Sequence, residues 1–196
     1  MKIPAYFFIF DVESLGLHGD GFAVAGGVWK GLDQCLMEFA YHTSQDRALI
    51  GIAGDAEWVK KNVIISPQST LCGGTAIMNS LFWNEWKRAK EQYPGIVMAA
   101  ECLWPVEARL LQKAVDEDRD NRNWEGPYPI HEIASFMLAA GMDPMATYER
   151  RENELPAHEP LADARLSARL LFEALEILKE REGAESQYRE IEALTE

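Results

Sequence analysis

Two short polar runs near opposite ends of the chain carry side chains suited to acid–base and metal chemistry. The first is Asp11-Val12-Glu13, which follows the apolar stretch from Ile3 to Phe10. Residues i and i+2 of a strand point to one face, so the two carboxylates stand side by side where the chain leaves the core. Holding them together costs repulsion that a divalent cation offsets. The second run is His158-Glu159-Pro160-Leu161-Ala162-Asp163-Ala164-Arg165. Asp163 falls in the first turn of a helix, where the positive end of the dipole favours an anion. His158 lies on the loop leading in, and an imidazole titrating near neutrality can take a proton from water. Each run taken alone also has a plain structural reading, as acids after a strand or at a helix start and a histidine on a loop.

The elements that must position these groups follow from periodicity. Residues 3–13 read as a strand apolar on both faces, hence central in a sheet. Gly16, Gly19 and Gly21 punctuate a turn, and residues 22–29 and 34–43 read as two further strands joined through Gly31 and Asp33. Within the pattern-poor stretch 44–73, Val63-Ile64-Ile65 reads as a short strand. A helix over 75–92 turns Ile77, Leu81, Trp83, Trp86 and Ala89 inward and stops at Pro94-Gly95. A buried strand at 96–100 precedes a helix over 105–118, striped by Trp104, Ala108, Leu111 and Val115. A polar loop at 118–127 leads to a short strand or turn at 128–130 and a helix at 132–140, ended by Gly141. After a loop at 142–157, Pro160 opens the last long helix, with Leu161, Ala164, Ala168, Leu171, Leu175 and Leu178 on one stripe. The sum is a mixed α/β layer structure in one domain, residues 1–182, with a polar tail at 183–196 that frays.

Composition narrows the partners. With 196 residues and 47% hydrophobic side chains, the chain can bury one sizeable core, and 26% charged residues argue against wholesale disorder. A net charge of −13 argues against a broad basic grip on duplex nucleic acid. Carboxylate-bound cations would instead present positive charge to phosphate, which suits short or flexible single strands. Cys35, Cys72 and Cys102 lack zinc-ligand spacing and read as reduced structural thiols. The apolar N-terminal run is too short to span a bilayer and lacks a cleavage site, so a cytoplasmic location with no membrane association is expected. Trp83 and Trp86 read as core or interface, and Trp104, ahead of a helix next to the acidic site, as a packed aromatic in preference to a base-stacking one.

Asp11-Val12-Glu13-Ser14-Leu15-Gly16-Leu17, with the glycine-bearing strand at Gly26-Gly27-Val28, resembles the first motif of the DnaQ-like, DEDDh 3′→5′ exonuclease family. The run from His158 to Arg165, with its H-x-x-x-x-D spacing, resembles the third motif. The resemblance implies a ribonuclease H-like mixed sheet with helices on both faces. It implies that Asp11, Glu13, Asp163 and one acid from mid-chain hold two divalent metal ions, Mg²⁺ or Mn²⁺, with His158 as general base and nucleoside 5′-monophosphates as products. It sets Ser14, Leu15 and Gly16 beside the terminal nucleotide, with Leu15 as the wedge against the last base. The implied partners are 3′ ends of single-stranded RNA or DNA, leaning to RNA for want of a polymerase or basic accessory segment. A homodimer is implied too, with Trp83 to Trp86 as its apolar surface.

The second motif departs from the family. Its aspartate, in a helix after an apolar residue, has no counterpart in Glu101-Cys102-Leu103-Trp104-Pro105-Val106-Glu107-Ala108-Arg109-Leu110-Leu111. Glu107, flanked by Val106, Leu110 and Leu111, is expected to fill the place, because an unpaired carboxylate beside a buried stripe is costly. Glu101, at the end of its strand, is the rival. A degenerate, non-catalytic binding module is the alternative that the missing aspartate supports and the retained His158 opposes.

Overall fold

Strand β1 (Phe7–Ser14) is apolar on both faces because it lies inside the sheet. β2 (Gly21–Trp29) pairs with it antiparallel on one side, and β5 (Val97–Ala100) parallel on the other. β3 (Cys35–Thr43) continues antiparallel from β2, and β4 (Thr70–Cys72) runs parallel to β3. β6 (Ile130–Glu132) adds parallel to β5, which gives a six-stranded mixed sheet of order β4-β3-β2-β1-β5-β6. Gly26 pairs with Phe10, and a Cβ there would lie 2.3 Å from the Ile9 carbonyl oxygen, so the two strands approach as only glycine permits. This computed structural model describes residues 3–44 and 53–195, apart from the side chains of 53–56 and 185–195.

The helices are α1 (Ala53–Asn62), α2 (Thr75–Gln92), α3 (Ala108–Glu117), α4 (Arg119–Arg122), α5 (Ile133–Ala140) and α6 (Pro160–Thr195). Alternation along β1 divides its side chains between two layers. Phe8, Phe10 and Val12 join Phe82, Trp83 and Trp86 of α2 and Leu110 and Leu111 of α3. Phe7 and Ile9 point the other way, onto Ile133 and Met137 of α5 and Ala164, Ala168 and Leu171 of α6. Helices therefore cover both faces of the sheet, and Asp11 and Glu13 continue the face that α6 crosses.

Several expectations are corrected. Residues 63–65 form no strand: the Ile64 N–H donates to the His158 carbonyl at 2.8 Å, so this stretch meets the loop before α6, and β4 takes the sheet edge instead. On α2 the inward stripe runs through Met78 and Phe82, while Ile77 is exposed. Trp83 and Trp86 are both buried in the chain's own core, which removes them as dimer surface. Trp104, expected to be packed, is 72% exposed, because the π-helical turn Leu103–Glu107 opens with extended backbone that turns the indole outward. The polar loop after α3 contains α4, and its Arg122 is buried, donating to the Ala114 carbonyl at 2.6 Å and to Ser80 Oγ at 3.0 Å. Helix α6 continues through the polar segment after Gly183 to Thr195. Cys35, Cys72 and Cys102 are free, with burial raising each thiol pKa. Among the described residues, no helix is long and apolar enough to cross a membrane.

Candidate active site

At the open end of β1 the apolar face of Phe7 and Ile9 gives way to Asp11 and Glu13, which lie opposite Ala25 and Ala23 of β2. These small partners leave room beside the carboxylates. The β1–β2 pairing is irregular after Glu13, and the chain turns through Gly16, whose φ of 71° lies in the left-handed region. Ser14 Oγ donates to the Gly16 carbonyl at 2.8 Å, and the Gly16 N–H returns to the Ser14 carbonyl at 3.1 Å. This turn carries Leu15 inward. It is 6% exposed and packs with Phe22, Val59 and Val63, so it cannot serve as the expected wedge. Leu17 on the same turn is 68% exposed.

The start of α6 closes the site from above the sheet. Pro160 sits in the first turn, where no N–H is required. Glu159 accepts the Ala162 N–H at 2.7 Å on its carboxylate. His158, at φ 59°, turns its N–H back to Asp163 Oδ2 at 3.0 Å. The other oxygen, Oδ1, accepts Arg150 Nη1 at 2.6 Å. The loop bearing Arg150 is fixed by Arg169 of α6, which holds Glu154 through Nε at 2.7 Å and Nη2 at 3.0 Å and also reaches the Glu149 carbonyl at 2.8 Å. Donor atoms of Glu13, His158 and Asp163 all come within 4.8 Å of one another.

Both mid-chain acids reach this cluster. Glu107, 8% exposed at the junction of the π-helical turn and α3, has its pKa pushed up to about 8, by burial first, with Glu13 and Glu101 adding to the rise and N–H groups of Glu107 and Val12 opposing it. Burial, Asp163 and Glu159 raise Glu13 to about 7. The Asp11 pKa is held well above the usual carboxylate range by burial, then by Asp163, Glu107, Glu13 and Glu101. Glu101 follows β5 and accepts Ser167 Oγ at 2.8 Å. Among the described residues, Asp11, Glu13 and Glu107 have no ion-pair partner, while Asp163 pairs with Arg150. Half-buried carboxylate oxygens that repel one another are the donor set a hard divalent cation requires, so these residues fit such an ion. Arg150 and Trp58, whose ring meets His158 edge to face, were not singled out from sequence; one sits in a charged loop and the other in a stretch without pattern.

The strand order, the two helical layers and the acidic centre at the end of the central strand define a ribonuclease H-like α/β fold. The solved structure of a moderately thermophilic exonuclease I from Methylocaldum szegediense is similar, with a TM-score of 0.52 and 13% sequence identity over 90% of this chain. The match covers 41% of that protein, so this chain spans about two fifths of its length. No protein-family model and no curated protein matches the sequence.

Proposed function

We propose that the chain is a metal-dependent 3′→5′ exonuclease that releases nucleoside 5′-monophosphates from single-stranded nucleic acid, RNA in preference to DNA. The observation that carries this reading is the convergence of Asp11, Glu13, Glu107 and Asp163 with His158 at one end of the central strand. Those four acids would hold two divalent cations, Mg²⁺ or Mn²⁺, with Glu101 as the rival to Glu107. Bound there, the ions supply positive charge to the attacking and leaving oxygens of an in-line displacement at phosphorus.

The protein's own groups do the rest. His158, exposed at the rim of the cluster, takes the proton of the attacking water. Its left-handed backbone and its N–H bond to Asp163 keep the imidazole close to the carboxylates. Arg150, held by the Arg169–Glu154 pair, offers a guanidinium for a phosphate oxygen. The turn at Ser14 and Gly16 borders the place of the terminal sugar. Digestion of 3′-labelled and 5′-labelled RNA and DNA oligomers, with and without Mn²⁺, tests the reading. Metal-dependent release of mononucleotides from the 3′ end is expected; release independent of metal, or none, defeats it.

A further inference from the structure

Helices α2 and α3 and the segment leading into β6 line a cavity of about 180 Å³, walled chiefly by Trp83, Leu103, Leu111, Val115, Tyr128 and Ile130. No charged side chain lines it. An apolar cavity of about 150 Å³ takes a benzene molecule, so this one has room for a six-membered ring with a short substituent. Tyr128, 72% exposed, forms its solvent side, and the ring lies so close to Gly126 that a Cβ there would come 2.9 Å from Tyr128 Cζ. Trp83 is 1% exposed, and its indole N–H has no hydrogen-bond partner among the described residues. Trp86 on the same helix gives its own N–H to the Glu125 carbonyl at 3.4 Å. The Arg122 guanidinium, 5.6 Å from the Trp83 ring centroid, is itself a donor and is taken up by Ala114 and Ser80. A buried donor left unpaired is costly, and an acceptor entering beside it relieves that cost. Two walls of the cavity also bracket the π-helical turn: Leu103 opens it and Ala108 follows it, and Glu107 between them reaches the acidic cluster.

We propose that this cavity binds a small neutral molecule, a single aromatic ring carrying a carbonyl acceptor for Trp83 Nε1, and that its occupancy tightens the metal site through Glu107. The ligand site stands without the exonuclease reading; the effect on metal rests on it. The apolar walls take the ring, and the indole N–H selects for the acceptor. A lining without charge gives a phosphate nothing to pair with, which separates this ligand from a nucleotide. A ligand shifts an equilibrium only by fitting one state better than another. The cavity has this shape in the arrangement that buries Glu107 in the cluster, so a molecule that fits the cavity favours that arrangement. By linkage, the ion then favours the ligand by the same factor.

The test uses the full chain, labelled with ¹⁵N, and two probes of nearly equal shape: acetophenone, which carries the acceptor, and ethylbenzene, which lacks it. Six tryptophans give six indole N–H signals, and the one missing from Trp83→Phe belongs to Trp83. In EDTA, acetophenone should move that signal downfield and bind roughly tenfold more tightly than ethylbenzene, the worth of one hydrogen bond to an otherwise unpaired donor. Val115→Phe, which fills the cavity from α3, should abolish both responses while its circular dichroism stays that of wild type. Calorimetry with Mn²⁺ should show affinity raised about fivefold or more by saturating acetophenone in the wild type and unchanged by it in Glu107→Gln. A Trp83 signal that acetophenone leaves in place overturns the proposal, as does ethylbenzene binding equally well; both are wild-type measurements and need no variant to fold. A shifted Trp83 signal with unchanged Mn²⁺ affinity overturns the link to Glu107. Acetophenone binding in a chain that releases no mononucleotides would overturn the exonuclease reading and leave the ligand site standing.

Discussion

Glu107→Gln should make the metal-free protein more stable at pH 8. In the fold the Glu107 carboxyl is buried, and its pKa rises from 4.5 to about 8. A carboxylate raised in this way destabilises the fold at high pH: the penalty is absent below the unfolded value, grows as pH climbs between the two, and is complete above the folded value. At ~1.4 kcal/mol per pKa unit, the upper bound is about 5 kcal/mol. Water entering from the open side of the cluster and relaxation of Glu13 and Asp11 reduce this to roughly 2–3 kcal/mol. For a chain of this size that corresponds to about 5–10 °C in Tm. Thermal melts of wild type and Glu107→Gln in EDTA, from pH 5 to pH 8.5, measure it directly. The curves should converge near pH 5 and separate as pH rises, with the variant on top. Adding Mn²⁺ should reverse the order, because the ion stabilises the wild type more than a variant lacking one carboxylate. A variant that melts at or below wild type at pH 8 in EDTA would refute the claim that Glu107 is a buried, uncompensated charge.

Four further outcomes are expected, three from the site geometry and the last from the family resemblance. Asp11→Asn and Asp163→Asn should each abolish mononucleotide release while the far-ultraviolet circular dichroism stays that of wild type; undiminished release by both defeats the metal assignment. His158→Ala should lower turnover by roughly 10²–10⁴ with Mn²⁺ affinity by calorimetry nearly unchanged, and a parallel loss of affinity would make it a ligand. Glu107→Gln should lose Mn²⁺-dependent release and Glu101→Gln retain more of it, with Mn²⁺ supporting wild-type turnover better than Mg²⁺, which tolerates less distortion from a longer side chain; the opposite pattern assigns the fourth carboxylate to Glu101. Light scattering should give twice the 22.1 kDa chain mass at micromolar concentration, through a surface other than Trp83 and Trp86, and a monomer refutes the dimer.

Strands β1, β2, β3 and β5 and helices α2, α3, α5 and α6 were readable because their signals are local, whereas α1, β4 and α4 lie in stretches without a clear pattern. β1 announces its central place by apolar residues on both faces, and α2, α5 and α6 by apolar stripes with a stop at Pro94-Gly95, a stop at Gly141 and a start at Pro160. Arg122 shows the limit of such signals. A charged residue in a polar stretch reads as solvent-facing, yet its guanidinium finds Ala114, Ser80 and the Trp83 ring only once α2 and α3 have packed. Trp104 shows the converse, an aromatic at helical spacing that an opening turn throws outward.

The site divides along the same line. Period two places Asp11 and Glu13 on one face of β1 from sequence alone, and carried one step further it would set Leu15 beside them. It fails there for a definite reason. The pairing with β2 passes from Glu13 opposite Ala23 to Ser14 opposite Gly21, leaving Phe22 as the extra residue, and a bulge of this kind breaks the alternation. The left-handed turn at Gly16 then folds Leu15 onto Phe22 and sends Leu17 to the outside, where it lines a cavity with Trp58. Which leucine lines the cavity is thus decided by one unpaired residue on the neighbouring strand. That Asp11 and Glu13 share a face is decided by the strand itself, and so only that pairing was legible from local periodicity.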